Sequence, residues 1–290
     1  MTKREQGNYH DYYKRRGDVE SDHRLQLIRA EWLNGKVCLD IGCNEGQLTL
    51  ALAKRHHPIS MVGIDIDRHL VDTANSRLKR EKMVVTNGKA ITPLLLFKPR
   101  SVPSPFTGTS VKSQEPARST NTSTSMSYPH NAMFIYKDVF DMTPSLTGHY
   151  DTIMCLSMTK WVHLTYGDEG LRRLFDKMFT LLKIGGILIL EYQTWRSYKS
   201  RKGTNETTSV NYDNIVIRPE QFAEILTHEY RFRLVERLGP TDEESREFNR
   251  PIIVLQKELA AVAAPVAVQV HGDVADELQQ PVKRRKLLGI

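Results

Sequence analysis

Cysteine is scarce in this chain of 290 residues, which has only three. None of them forms a C-x-x-C pair or has a spacing typical of zinc ligands, so neither a disulfide framework nor a structural zinc is expected. Long apolar runs are missing too. AVAAPVAVQV near the end is too short for a bilayer, which takes about 20 residues, and the amino terminus lacks the apolar core of a secretory signal. We expect a reduced, intracellular protein with no membrane partner.

The chain also lacks a dominant charge. Lys and Arg number 41 against 34 Asp and Glu, a net charge of +7. This excess favours a polyanionic partner over a basic small molecule, although a solvated basic surface would look the same. A hydrophobic content of 40% is enough for one substantial core and excludes collagen-like and wholly disordered classes.

Two segments are poor in large aliphatic residues. Residues 97–131 are rich in Ser, Thr and Pro, and residues 259–290 lead into a KRRK run at 283–286. Such segments cannot bury enough apolar surface to offset their ordering entropy. We therefore predict one domain over 1–258 with a disordered insertion, followed by a disordered basic tail. The KRRK run is typical of a nuclear-import patch or of a nonspecific phosphate contact.

Elsewhere, short apolar runs alternate with amphipathic ones. This alternation predicts an α/β fold with a mostly parallel seven-stranded sheet, helices on both faces and an antiparallel hairpin at one edge. The predicted strands are 37–41, 60–66, 133–136, 150–156, 186–191, 232–238 and 251–256. The predicted helices are 46–55, 68–79, 167–182 and 218–229.

The first strand runs into a glycine-rich turn in VCLDIGCNEGQLTLALA. Gly42 and Gly46 have G-x-x-x-G spacing instead of the G-x-G-x-x-G that holds a pyrophosphate, which counts against NAD and FAD and agrees with S-adenosylmethionine. Asp65 follows about 20 residues later, where an acidic group binds ribose hydroxyls. In the simpler alternative the glycines only make a turn and Asp65 caps a helix. Together with the pair Gly185-Gly186, these motifs favour a methyltransferase over a dehydrogenase.

The segment MCLSMTKWVHL at the end of the fourth strand should face the reacting methyl group. It lacks an N-P-P-Y or D-P-P-Y motif, and Cys155 lacks the proline that usually precedes a catalytic cysteine in pyrimidine methylation. We therefore expect an oxygen acceptor. Lys160 would draw an anionic acceptor and His163 would be a second donor. The alternative is that His163 is a packing residue and Lys160 a solvated one.

Two segments interleave aromatic and basic residues, GNYHDYYKRRG near the start and YQTWRSYKSRK from Tyr192. Proteins that bind single-stranded nucleic acids combine aromatic faces for the bases with cations for the phosphates. The two segments favour an RNA substrate.

Five blocks in this order resemble one family: GNYHDYYKRR, LDIGCNEGQLTLALA, VGIDID, CLSMTKWVHLTYGDEGL and IGGILILEYQTWRSY. The chain resembles the bicoid-interacting-protein type of RNA methyltransferase, the family of the 7SK RNA methylphosphate capping enzyme, over about 7–85 and 133–256. The resemblance implies a class I S-adenosylmethionine-dependent methyltransferase with a Rossmann-like fold. The chain departs from the family pattern at two places. The E-P-Q-P-W motif is here Glu191-Tyr192-Gln193-Thr194-Trp195, and Gln6 stands where an aromatic residue is usual.

The resemblance also implies residue roles. Arg16 would bind the methionine carboxylate, Leu156 the methionine side, and Asp65 with Ile66 the ribose and adenine. The remaining cofactor contacts would be Gly42, Cys43 and Asn44 in the turn, with Asp138 and Val139 beside the adenine. Candidates for positioning the substrate phosphate are Lys160, His163, Asn8, Tyr9 and Gln193. No catalytic residue is assigned, because a terminal phosphate is already ionised near pH 7 and needs no general base.

The T-K-W-V-H-L segment is closer to the triphosphate-capping branch of the family than to the monophosphate branch. We therefore expect methylation of the 5'-terminal phosphate, the γ-phosphate, of a small non-coding RNA, with ribonucleoprotein partners and a nuclear, also cytoplasmic, location. The alternatives are a methyltransferase for the 5' monophosphate of tRNA or small RNA, and an RNA-stabilising subunit with incidental turnover.

Overall fold

Seven strands form one sheet in the order β3-β2-β1-β4-β5-β7-β6. The structure is a computed structural model that describes residues 12–85 and 127–259. Strand β7 runs antiparallel to both of its neighbours, and the other pairings are parallel. The strands are β1 (Val37–Ile41), β2 (Ser60–Asp65), β3 (Ala132–Tyr136), β4 (Tyr150–Leu156), β5 (Leu182–Glu191), β6 (Phe232–Leu238) and β7 (Ile252–Lys257).

Helices cover both faces of the sheet. In the described residues they are α1 (Tyr12–Arg16), α2 (Arg24–Leu27), α3 (Ala30–Leu33), α4 (Gln47–His56), α5 (Arg68–Val85), α6 (Thr159–Leu181), α7 (Trp195–Lys199), α8 (Glu206–Asn214) and α9 (Phe222–His228). Short 3-10 turns lie at Val19–Ser21, Val139–Asp141, Pro144–Leu146, Lys202–Thr204 and Pro219–Gln221.

The period-two alternation of the strands sorts their side chains into two cores. In β1, Leu39 packs in the cluster that includes α6 and α9, whereas Cys38 packs in the cluster that includes α3, α4 and α5. Successive side chains of a strand point to opposite faces, so a sheet covered on both sides needs apolar residues at every position. This is why the central strands are mostly apolar on both faces, with buried polar residues such as Asp40 and Thr152 as exceptions.

The predicted fold class is confirmed: an α/β fold with a mostly parallel seven-stranded sheet and an antiparallel pair, β6 and β7, at one edge. Strands β1, β4 and β6 have the predicted bounds. The strand order reverses between β1 and β4, and open α/β sheets bind their ligands at such a point, beyond the carboxyl ends of the strands.

Helix α6 begins at Thr159 and not at 167 as predicted. Gly167, with φ +66° and ψ −166°, breaks it into two parts. The first part was missed because its buried face includes Lys160 and His163, which do not count as apolar in a periodicity search. The predicted helix 218–229 is a 3-10 turn followed by α9.

Other predictions also need correction. Gly185 and Gly186 lie inside β5, at the end opposite Glu191, and therefore do not support a cofactor turn. Of the predicted insertion 97–131, the part up to 126 lies outside the described residues, as does the tail 260–290. Residues 127–131 are described: they form a turn in which buried Asn131 donates to the Pro58 carbonyl at 2.8 Å.

Candidate active site

A cleft opens beyond the carboxyl ends of β1, β2 and β4. The turn after β1 forms its floor. Gly42 has φ +77°, and a Cβ at this position would lie 2.9 Å from Cγ of Met158, a residue of the opposite wall. Only glycine combines this backbone conformation with so close an approach. The glycine therefore lets the Met158 side chain lie directly against the turn.

Gly46 starts α4 in the left-handed conformation with φ +72°. A Cβ there would lie 2.5 Å from Cζ of Phe134, whose ring also covers Gly63 of β2. The G-x-x-x-G spacing thus serves two purposes. Gly42 lets Met158 pack against the turn, and Gly46 lets α4 pack closely on the sheet.

Asp65 at the end of β2 ties the two sides of the cleft together. Its carboxylate accepts the backbone N–H groups of Asn44 at 2.9 Å and of Asp67 at 2.9 Å. Burial raises the pKa of Asp65, and these two hydrogen bonds oppose the rise. Each carboxylate oxygen keeps a free lone pair, so Asp65 can still accept ribose hydroxyls. The cap of α5 is a different residue, since Asp67 accepts the N–H of His69 at 2.8 Å.

Asp40 also lines this cleft and was not predicted. It is buried in β1, where it accepts the Thr49 hydroxyl at 2.6 Å. Burial raises the pKa of Asp40 to about 6. A buried carboxylate beside a cleft suits a cationic ligand group, such as an amino group, because a neighbouring cation would restore its ionisation. The sequence signal was its place two residues before Gly42, in the strand that leads into the turn.

Eight of the nine predicted cofactor residues line this one cleft. They are Gly42, Cys43, Asn44, Asp65, Ile66, Asp138, Val139 and Leu156. Asp138 caps the 3-10 turn that follows it by accepting the N–H of Phe140 at 2.9 Å, which holds this edge of the cleft in place. The lining residues follow β1, β2, β3 and β4, so a nucleoside could lie at β2 and β3 and an amino-acid moiety at β1 and β4.

Arg16, the ninth, is not among the lining residues. Its guanidinium is buried against Asp22, with Nε 2.9 Å from Oδ2, and lies 3.7 Å from Glu191. Arg24 lines the cleft instead and also pairs with Asp22 and Glu191, at 2.6 and 3.3 Å. Both arginines pair with the same two acids, and Glu191 is far from both in sequence, so no local pattern could have shown which arginine lines the cleft.

A second cavity adjoins the cleft. Three residues, Tyr12, Ser157 and Trp161, line both. The other residues that line the second cavity are Lys160, Gln193, Ser197, Ser200, Arg201, Glu247, Phe248 and Arg250. Its charged groups are thus three cations and one carboxylate. A ligand in the second cavity would meet a ligand of the first across this shared wall.

Lys160 is 4% exposed although it carries an amine. Its ammonium lies over the Trp161 ring, with Nζ 5.0 Å from the ring centroid, and within the described residues it has no ion pair. Burial first, and then the charges of Arg250 and Arg201, lower the pKa of Lys160 to about 7. A buried amine among other cations favours an anionic ligand, whose charge would keep it protonated. Lys160 lines the second cavity, and its contact with the acceptor stays a prediction; Arg201 and Arg250, which line the same cavity, were not predicted.

His163 does not reach this cavity, contrary to prediction. It is 0% exposed, with Nε2 2.7 Å from Asp168 and Nδ1 3.3 Å from the Tyr198 hydroxyl. Asp168 in turn accepts the N–H groups of Val216 and Ile217. His163 therefore joins α6 to α7 and to the segment after α8. Because α6 starts before residue 163, the side chain points into the core and not beyond the strand end.

Gln193, a candidate for positioning the substrate phosphate, lines the second cavity, and its amide donates to the Ser157 carbonyl at 2.8 Å. Its Oε1 is buried without a hydrogen-bond partner in the described structure. Asn8 and Tyr9 lie outside the described residues.

The expectation that the aromatic residues of YQTWRSYKSRK form a base-stacking surface is not met by the structure. Tyr192 and Tyr198 are fully buried, and Trp195 stacks on Tyr212 with ring centroids 4.7 Å apart. The Arg218 guanidinium covers Trp195 at 3.8 Å. The aromatic residues thus hold α7 and α8 in place. Trp195 takes this position without the prolines of the family motif, at the start of α7 behind Thr194.

No group of three or more His, Cys, Asp and Glu side chains in 12–85 and 127–259 is arranged to hold a metal ion. None of the described helices combines the length and apolar character needed to cross a membrane.

Comparison with solved structures supports the fold. The N-methyltransferase NodS from Bradyrhizobium japonicum, in complex with S-adenosyl-L-homocysteine, superposes with a TM-score of 0.53 at 16% identity, over 88% of this chain and 95% of NodS. A Methyltransferase domain model matches residues 38–102. The fold is that of class I methyltransferases, and the predicted cofactor, S-adenosylmethionine, agrees with it.

Sequence comparison narrows this class. A probable RNA methyltransferase of Arabidopsis thaliana is 38% identical over 263 residues, 87% of this chain and 80% of that protein. The 7SK snRNA methylphosphate capping enzyme of Mus musculus is 36% identical over 272 residues, 87% of this chain but 40% of the enzyme. The chain thus spans about two fifths of the mouse enzyme. The Bicoid-interacting protein 3 (Bin3) model matches residues 150–257, a range that includes Lys160, Arg201 and Arg250. With relatives this similar over most of its length, the chain belongs to the Bicoid-interacting protein 3 family.

Proposed function

We propose that this chain transfers a methyl group from S-adenosylmethionine to the 5'-terminal phosphate of an RNA, the γ-phosphate of a triphosphate end. One observation carries the proposal: a cationic cavity shares a wall with the cofactor cleft. Methyl donor and anionic acceptor can therefore meet at Ser157 and Trp161.

The charge of the second cavity favours a phosphate. Lys160, Arg201 and Arg250 face it against a single carboxylate, Glu247. An arginine fork pairs with two oxygens of one phosphate, and a lysine acts as a point charge on a third. A triphosphate end brings more charge than a monophosphate to offset the burial of Lys160. We therefore favour the γ-phosphate over the 5' monophosphate.

The chemistry requires positioning more than acid–base groups. The bound cofactor supplies an electrophilic methyl carbon on a sulfonium. A phosphate oxygen attacks this carbon with a lone pair, the carbon–sulfur bond breaks, and its electrons go to sulfur. The phosphate loses one negative charge, and no proton moves, because the terminal phosphate is already ionised above its second pKa near 6. Holding the reactants in line can contribute about 7 to 11 kcal/mol, and this is the task of the two cavities.

We further propose a small non-coding RNA as the substrate, with ribonucleoprotein partners and a nuclear location. The mouse relative is named for the 7SK snRNA, a small nuclear RNA. The KRRK run at 283–286, outside the described residues, would serve nuclear import.

Mass spectrometry of RNA 5' ends tests the reaction. Three RNAs of one sequence, ending in a triphosphate, a monophosphate or a hydroxyl, are incubated with the protein and S-adenosylmethionine. We expect one added methyl on the terminal phosphate of the triphosphate RNA and none on the hydroxyl RNA. Faster methylation of the monophosphate RNA would contradict the γ-phosphate assignment and identify the 5' monophosphate as the acceptor. The absence of methylation on all three would overturn the proposal.

A cofactor-site variant provides the control. Asp65→Ala should abolish methylation while leaving binding of triphosphate RNA in place, because Asp65 lines the cofactor cleft and not the second cavity.

The number of methylated RNA molecules formed per protein molecule over time distinguishes an enzyme from a stabilising subunit. Fast multiple turnover supports the enzyme, whereas a single turnover followed by retained product would support the subunit.

A further inference from the structure

Ser157 occupies a special position between the two cavities. It directly follows β4, is 8% exposed and lines both the cofactor cleft and the cationic cavity. Its φ is +64°, in the left-handed region that a serine rarely adopts. A non-glycine residue held there needs surrounding contacts that impose the conformation, and such residues cluster at functional sites.

Four hydrogen bonds hold Ser157. Its backbone N–H donates to the Glu191 carbonyl at 2.9 Å, and its own carbonyl accepts from Gln193 at 2.8 Å. Its hydroxyl donates to the Glu191 carboxylate and accepts from Nη1 of Arg250 at 2.6 Å. The backbone bonds fix the main chain, and the side-chain bonds fix the direction of the hydroxyl proton.

Glu191 determines this direction. It ends β5, is fully buried and lies 3.3 Å from Arg24 and 3.7 Å from Arg16. Burial would raise its pKa, but the charges of Arg24, Arg16 and Arg250 outweigh burial and lower it. Glu191 therefore remains a carboxylate, which can only accept. The Ser157 hydroxyl must give its proton to Glu191 and present its lone pairs to Arg250.

Arg250 depends on this arrangement. It comes from the segment before β7, where its Nε donates to the Glu247 carbonyl at 2.7 Å and its guanidinium lies 5.4 Å from the Phe248 ring. The Ser157 hydroxyl is the contact that brings its guanidinium to the wall shared with the cofactor cleft. In the described part of the chain, the other interactions of the guanidinium include those with Glu247 and Phe248 of its own segment and the charge of Glu191, which none of its hydrogen bonds reaches directly.

We propose that Ser157 is a positioning residue for methyl transfer: its hydroxyl, oriented by Glu191, holds the Arg250 guanidinium where the acceptor phosphate meets the methyl donor. This inference rests on the proposed function. Arg250 contacts the phosphate, and Ser157 acts through Arg250. The strained backbone of Ser157 is the cost of placing a hydroxyl, and not a bare glycine, at this junction.

Replacement by glycine separates positioning from packing. Ser157→Gly removes the hydroxyl and its two hydrogen bonds but suits a φ of +64°, so the relief of backbone strain should offset part of the lost stability and keep the midpoint of thermal unfolding close to that of the unaltered chain. We expect its kcat on triphosphate RNA to fall about tenfold or more, the loss of one oriented charged hydrogen bond, with its KM for S-adenosylmethionine unchanged. Ser157→Cys, which keeps a weak donor and acceptor, should recover part of the rate, and Ser157→Ala should not.

A matched control relieves the same backbone strain elsewhere. His57→Gly changes an exposed residue with φ +51° at the end of α4, away from both cavities, and should leave kcat unchanged. Methylation of triphosphate RNA by the unaltered chain in the same assay tests the proposed function separately. Wild-type kcat in Ser157→Gly, or equal rates for Ser157→Cys and Ser157→Ala, would overturn the positioning role. A rate loss that only follows lower stability or lower cofactor affinity would overturn it too.

Discussion

The pH dependence of RNA binding isolates the role of Lys160. With its pKa lowered to about 7 by burial and by the charges of Arg250 and Arg201, the amine is half-protonated in the empty cavity at neutral pH. The protonated fraction then falls to about one tenth at pH 8 and one hundredth at pH 9. An anionic RNA end that requires the ammonium loses affinity in proportion to this fraction.

We therefore expect the Kd for triphosphate RNA to rise about fivefold from pH 7 to 8 and about tenfold from pH 8 to 9. The direction follows from the sign of the shift: raising the pH removes a proton from the lysine, and the cavity loses a positive charge. The phosphate contributes little to this change, because its second pKa near 6 leaves it ionised throughout.

Fluorescence anisotropy with RNA labelled at the 3' end measures these affinities. A 5'-hydroxyl RNA of the same sequence reports the pH dependence of all other contacts. Lys160→Arg keeps its charge at every pH in this range and should show a nearly flat profile. Lys160→Gln should bind weakly and be equally flat. The reasoning is refuted if Lys160→Arg has the slope of the unaltered chain, or if the hydroxyl RNA has the same slope as the triphosphate RNA.

Three further changes test other parts of the site. Gly42→Ala places a Cβ 2.9 Å from Met158 at φ +77°, so it should weaken S-adenosylhomocysteine binding in calorimetry and lower the free energy of unfolding by about 1 to 3 kcal/mol. Asp40→Asn should stabilise the cofactor-free protein above pH 6 by about 2 to 3 kcal/mol. The raised pKa of Asp40, about 6, means that its contribution to stability is lost as the pH rises through that value; urea unfolding at pH 5 and pH 8 should differ less in Asp40→Asn. His163→Ala should cost about 2 kcal/mol of stability and leave the Kd for triphosphate RNA unchanged, and a selective loss of RNA binding would contradict its structural role.

Local patterns predicted the strands that have an apolar run or a clear apolar–polar alternation. Strands β4 and β6 have their predicted bounds because their side-chain periodicity stands out from the sequence on either side. The first part of α6 and helices α7 and α8 were missed, since their buried faces contain polar or charged residues such as Lys160, His163 and Thr208. Lys160 is buried at the cationic cavity, His163 is buried by its hydrogen bonds with Asp168 and Tyr198, and Thr208 is buried in the cap of α8.

The residues of the cofactor cleft could be predicted from short stretches of sequence. Its turn, its acidic residue at the end of β2 and its residues after β3 are short segments that each follow a strand, and parallel strands bring their carboxyl ends to one edge. The cationic cavity could not be predicted in this way, because its residues come together only in the folded chain. Lys160, Arg201 and Arg250 come from α6, from the loop after α7 and from the segment before β7, and no sequence spacing relates them. The position of Arg24 in the cleft lining, where Arg16 was predicted, likewise depends on the folded chain, in which both arginines pack against the distant carboxylate of Glu191.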